Sequence, residues 1–159
     1  MASWNDITAA TPDLAGKVKG AFDAHKHKVL ATLRADGSPR VSGTEVDFSG
    51  GDVWLGSMPG ARKARDMQRD PRVAIHSAPL DTELGVPDTK VAGRAVEITD
   101  EAEKDAWTNR YQDGGNELPP GPFHLFRIDV DEIVCTSVVL NTMVVESWHE
   151  GRGDARVER

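Results

Sequence analysis

The feature that most limits the fold is a change of period after residue 27. The segments KVLATLR, RVSGTEVDF and VWLGS alternate apolar and polar residues, and the turns ADGSP and SGGD separate them. Period two with β-branched residues specifies strands. Turns this short leave no room for the crossover that a parallel pair needs. The three segments are therefore predicted as an antiparallel meander, which excludes a parallel doubly wound sheet for this half of the chain. Further strands are predicted at RVAIHSA, TKVAGRAVEI, FHLFRI, EIVCTSVV and MVVESWH. About eight short strands without alternating helices specify a mainly β fold, a closed or nearly closed β-barrel with flanking helices.

Three helices are predicted around these strands. TPDLAGKVKGAFDAHK offers Thr11 as N-cap, Pro12 at the first helical position and Asp13 at the positive end of the dipole. Leu14, Val18, Ala21, Phe22 and His25 recur at helical spacing and form its apolar stripe. In MPGARKARDMQRD, Ala61, Ala64 and Met67 share a face, and Pro71 ends the helix by disfavouring helical geometry at Asp70. TDEAEKDAWTNRYQ is a helix capped by Thr99 or Asp100. GRGDARVER reads as a polar tail or a short final segment. Residues 1–159 are read as one domain, with residues 1–10 and 151–159 expected to be flexible.

Composition removes several classes of function. A net charge of -7 and a pI near 5.2 argue against general nucleic-acid binding, though not against one local phosphate site. Cys135 is the only cysteine, so neither an intramolecular disulfide nor a thiolate metal cluster can form within one chain. No apolar run approaches the roughly 20 residues that span a bilayer. The N-terminus lacks the pattern of a signal peptide, so a cytoplasmic location is expected. His25, His27, His76, His124 and His149 form no metal-ligand motif with a carboxylate, and no metal is expected. Trp107 and Tyr111, at i and i+4, read as a packing pair, and Cys135 as a buried small residue.

Against this acidic background, GARKARDMQRDPR collects Arg62, Lys63, Arg65, Arg69 and Arg72. Arg62 and Lys63 fall in the first turn of the predicted helix, where free N–H groups and the helix dipole already attract anions. Cations there oppose the dipole, and a phosphate in front of them would reverse that penalty. The other reading of the same segment is a solvated basic face. A second cluster lies on the preceding hairpin, where period two puts Arg40, Ser42 and Thr44 on one face of a strand. That face is the wet side of an open sheet or the wall of a groove beside the helix start. In the groove, Arg40 would add a second forked cation for the same anion.

The ordered set ATLRADGSPRVS, VWLGS, RKARDM and RDPRVAI, from Val29 to Ser77, resembles the core of the split-β-barrel flavin and deazaflavin oxidoreductases, relatives of pyridoxamine 5'-phosphate oxidase. A looser match of strand order continues to Trp148. The resemblance implies a split β-barrel of the FMN-binding type and a cofactor groove at a homodimer interface. It implies that Arg40, Ser42 and Thr44 border the cofactor. Leu55, Gly56, Ser57 and Met58 would lie beneath its ring and ribityl chain, and Arg62 and Lys63 would contact its phosphate. His76 and Ser77 would approach it from the next strand. The family often carries a small hydroxyl residue just before the Arg-Lys pair, and Ala61 stands there in this chain.

The cofactor implied is FMN or coenzyme F420, since both carry a tricyclic ring and a phosphate on a ribityl chain. The acidic tail of F420 would favour further cations, for which Arg65, Arg69 and Arg72 are candidates. The expected function is hydride transfer to or from a small organic substrate, with the cofactor performing the chemistry and no side chain assigned as catalytic. The alternative is a non-catalytic carrier of a flavin, deazaflavin or haem-like ligand. SWHEGRGDAR does not match the C-terminal substrate signature of true pyridoxamine phosphate oxidases, which argues against vitamin B6 oxidation. The substrate pocket is expected from loops 79–88 and 112–122 and from the C-terminal tail.

Overall fold

The computed structural model describes residues 1–78 and 87–159. Its strands, in chain order, are β1 (Lys28–Leu33), β2 (Pro39–Thr44), β3 (Asp47–Ser49), β4 (Asp52–Ser57), β5 (Arg72–His76), β6 (Asp88–Glu97), β7 (His124–Val139), β8 (Thr142–His149) and β9 (Gly153–Glu158). The helices are α1 (Trp4–Ala10), α2 (Pro12–Asp23), α3 (Arg62–Arg69) and α4 (Glu101–Asp113). Every pairing of these strands is antiparallel, in the order β2-β1-β5-β6-β7-β4-β3, with β8 and β9 continuing from β7. The architecture is the mainly β split barrel expected from the sequence. Loop 79–88 lies, for residues 79–86, outside the described residues.

The predicted meander is corrected in one respect. RVSGTEVDF is not one strand: it breaks at Glu45–Val46 into β2, which pairs with β1, and β3, which pairs with β4. The first turn behaves as Asp36-Gly37 suggests, with Gly37 at φ 83 and the Asp36 carboxylate accepting from the Ser38 amide at 2.9 Å. The second turn places Gly50 and Gly51, at φ 61 and 85, between the paired residues Ser49 and Asp52. Two successive left-handed residues match the twist of a tight hairpin and favour glycine at both positions.

FHLFRI and EIVCTSVV also differ from expectation, because they are two halves of the single strand β7. β6 pairs with it from Phe126 to Thr136, across the join of the two halves, with a register shift at Ala92/Gly93. A Cβ at Gly93 would sit 2.1 Å from the Asp129 carbonyl oxygen, so only glycine allows the two backbones this close. GRGDARVER supplies β9, which pairs with β8.

A fourth helix, α1, precedes the three predicted. Its N-cap Ser3 and Asp6 form a reciprocal capping box, and it buries Trp4 and Ile7. Thr11 closes α1 through its amide and makes no side-chain cap for α2, although Pro12 does begin α2. Asp100, not Thr99, caps α4 by accepting from the Glu103 amide at 2.8 Å. The main core gathers Phe22, Leu30, Leu55, Ile75, Phe126, Ile128 and Trp148 between the helices and the curled sheet. A second cluster packs α4 on the barrel through Trp54, Trp107 and Leu125, with Trp107 stacked on Tyr111 at 4.8 Å.

Candidate functional site

α3 begins directly after β4, across the turn Met58–Ala61, in which Gly60 takes φ 71. Its apolar face, Ala64 and Met67, is buried, which fixes the helix against the barrel and leaves Arg62 and Arg65 exposed. The N-cap is Ala61, which has no side-chain oxygen, and no acidic residue lies in the first turn. The first-turn amides of this helix therefore have neither an intrahelical partner nor a cap. Two cations occupy the same turn. This is an incomplete helix start that an external anion would finish.

Strand β2 supplies the facing wall. Arg40, Ser42 and Thr44 form its less exposed face, while Val41 and Gly43 are exposed, as period two requires. Lys63 reaches across and donates from Nζ to the Gly43 carbonyl at 2.8 Å. Burial pushes the Lys63 ammonium below its ordinary pKa, and the nearby Glu45 only partly restores it. Among the described residues Lys63 has no carboxylate partner, so an arriving anion would relieve the cost of its desolvation.

Two buried hydroxyls fit the same reading. Ser42 Oγ and Ser57 Oγ are enclosed and have no hydrogen-bond partner among the described residues. An unpaired buried hydroxyl costs free energy unless a ligand or water completes it. The residues present thus suit a phosphorylated cofactor: an uncapped helix start, two cations and two waiting hydroxyl donors.

The remaining sequence-predicted residues are placed as follows. Arg40 lies on the β2 wall, but its Nε donates to Asp66 Oδ2 at 2.6 Å. Thr44 is buried and donates to the Glu45 carbonyl. The Leu55 side chain belongs to the core, so Leu55 can face a groove only through its backbone. Gly56 is exposed, with open space where a side chain would stand, and Met58 is 75% exposed. Ser77 is buried, and its hydroxyl already accepts from the Thr89 amide at 3.1 Å. His76 Nδ1 donates to the Ser77 carbonyl at 2.6 Å, which orients the ring, and Nε2 has no partner among the described residues.

Of the three arginines considered for an acidic tail, two are engaged within the chain. Arg69 bonds Asp66 and the Leu33 carbonyl, and Arg72 forms two bonds to Asp70. Asp66 itself was not singled out from the sequence, where it reads as one more polar residue of a charged helix. Its Thr32 and Arg40 partners are 34 and 26 residues away. No cluster of metal-ligating side chains is found among the described residues. Cys135 is fully buried, and burial pushes its thiol up.

Comparison with solved structures finds the same fold. A pyridoxamine 5'-phosphate oxidase-related, FMN-binding protein from Nostoc punctiforme superposes with a TM-score of 0.63 at 14% identity, covering 100% of this chain and 97% of that one. PhzG from Burkholderia lata, solved with tetrahydrophenazine-1-carboxylic acid, gives a TM-score of 0.63 at 15% identity, with 98% and 92% covered. The haem storage protein HutZ from Vibrio cholerae gives 0.56 at 21% identity, with 74% and 91% covered. No curated protein matches the sequence. Residues 14–136, which hold β2, the start of α3 and every candidate site residue, match the profile of pyridoxamine 5'-phosphate oxidase, and the chain belongs to that family.

Proposed function

We propose that the protein is an oxidoreductase that holds FMN or coenzyme F420 by its phosphate at the start of α3 and serves hydride transfer to or from a small organic molecule. The observation that carries this reading is the incomplete start of α3, with no side-chain cap and two cations, together with the hydroxyls of Ser42 and Ser57, which have no partner among the described residues. The tricyclic cofactor supplies the hydride chemistry when bound. The chain's own part is to bind and orient. Arg62, Lys63 and the first-turn amides receive the phosphate, and Ser42 and Ser57 donate to it or to the ribityl chain. His76 offers a ring held by its Nδ1 bond. FMN is the better supported of the two cofactors, because Arg69 and Arg72 are already paired within the chain and leave Arg65 as the remaining tail contact.

A second copy of the chain is the proposed partner, with the cofactor groove at the interface. Val41, on the opposite face of β2 from Arg40 and Ser42, and Met58, in the turn before α3, have 70% and 75% of their surface exposed. Register carries a row of small apolar residues from Val41 through Ala31 and Ala74 to Ala92, across four strands. Such a row of small apolar residues suits packing against another chain.

Titration of apoprotein with FMN and with F420, followed by fluorescence quenching, tests the reading. Binding of one of them at micromolar concentration or tighter supports it, and binding of neither sinks it. A cofactor that binds but cannot be reduced or reoxidised by any small-molecule partner would favour the carrier alternative. A monomer on gel filtration would remove the shared groove.

A further inference from the structure

One buried ion cluster stands behind the anion site. Asp66, on α3, is 3% exposed. Its Oδ2 accepts from Arg40 Nε at 2.6 Å and from Thr32 Oγ1 at 2.9 Å, and its Oδ1 accepts from Arg69 at 2.9 Å. Arg69 also donates to the Leu33 carbonyl at 2.6 Å. One carboxylate thus ties α3 to both β1 and β2.

Its charge is the wrong sign for a neighbour of a phosphate. Packing alone does not require it, since Ala64 and Met67 anchor the same helix with apolar contacts, and a buried ion pair is a poor source of net stability. What the carboxylate supplies is direction. It takes Arg40 by Nε and leaves both terminal guanidinium nitrogens without a partner among the described residues. It also fixes the separation of α3 from β2, the gap that Lys63 spans to reach Gly43.

We infer that Asp66 is a positioning residue for the phosphate site, aligning the start of α3 with β2 and holding Arg40 with its free edge toward the anion. The inference rests on the flavin or deazaflavin reading above.

The test is Asp66→Ala, with Asp66→Asn as the conservative variant. Affinity is measured for FMN against riboflavin, or for F420 against its phosphate-free deazariboflavin chromophore. Removing a negative charge near a phosphate by itself strengthens phosphate binding, so charge and positioning predict opposite signs. Positioning predicts that the affinity ratio of phosphorylated to unphosphorylated ligand falls about tenfold in Asp66→Ala, the worth of one charge-assisted bond. The drop is smaller in Asp66→Asn, which can still accept from Arg40. A ratio that is unchanged or raised overturns the inference, as does an equal loss for both ligands. Should Asp66→Ala fail to fold, Thr32→Val removes one donor from the carboxylate without changing any charge and must lower the same ratio. A wild-type protein that binds neither ligand pair overturns the flavin reading itself, and the inference with it.

Discussion

Two helices of this barrel begin in opposite ways. α4 starts conventionally: Asp100 caps it, and Glu101 and Glu103 lie in its first turn, where they complement the dipole. α3 starts with Ala61 as a cap that cannot bond, no acid in its first turn, and Arg62 and Lys63 instead. Both helices are anchored by burial, α3 through Ala64 and Met67 and α4 through Trp107. Neither start is therefore needed to hold its helix in place. On the proposed function, the contrast teaches that a helix start with charges reversed, on a helix already secured by packing, is free to serve an anion.

The largest effect that would break this comparison comes from removing the cations. Arg62→Ala with Lys63→Ala should cost roughly 3–6 kcal/mol of affinity for the phosphorylated cofactor, taking two charge-assisted bonds at roughly 1.5–3 kcal/mol each. Titration with FMN and riboflavin checks it, and riboflavin affinity should barely move. Removing Glu101 and Glu103 from α4 should leave both affinities unchanged. Equal effects at the two helices would end the distinction between them.

Asp66→Ala should lower folding stability by about 1–3 kcal/mol, since it removes the carboxylate partner of the half-buried Arg40 and the more exposed Arg69. Denaturant unfolding measures this. The same group gives a pH signature. Burial alone would raise its pKa, but the bonds from Arg40, Arg69 and Thr32 outweigh burial and hold it at about 2. A depressed carboxylate contributes stability above its unfolded value of 3.8 and loses it as pH falls toward about 2. The loss over that window should be roughly 2 kcal/mol. In Asp66→Asn the contribution of this group to the fall should be gone.

The smaller effects sharpen the contrast at the caps. Asp100→Ala should cost about 1 kcal/mol of stability with no change in cofactor affinity. Ala61→Asp should do the reverse. It supplies the missing cap and stabilises the apoprotein by about 1 kcal/mol, while its charge competes with the phosphate and weakens binding. Thermal melts of the apoprotein, paired with titrations, separate the two outcomes.

Local features were readable before the structure. The β1–β2 hairpin follows from Asp36-Gly37, and the face shared by Arg40, Ser42 and Thr44 follows from period two. The end of α3 follows from Pro71. The capping box of α1 was also present in the sequence, as Ser3 three residues before Asp6, although Asp is a less usual partner there than Glu or Gln. Other features were not readable because their cause is remote. Asp129 and Asp131 look like a break between two strands, yet β7 continues through them because β6 pairs along both sides. Arg69 looks like a free surface cation, and although its partner Asp66 stands only three residues before it, the Leu33 carbonyl that it also reaches is 36 residues away.

The sequence by itself determined the antiparallel strands, the start of α3 and the presence of two cations in its first turn, since turn chemistry, period and dipole act over a few residues. Only the tertiary structure decided that β2 and β3 part to opposite edges of the sheet, that Ser42 and Ser57 are enclosed without partners among the described residues, and that Asp66 is buried between Arg40 and Arg69. Burial and partnership are properties of contacts between residues far apart in the chain. A polar residue reads the same in a sequence whether water or another strand will face it.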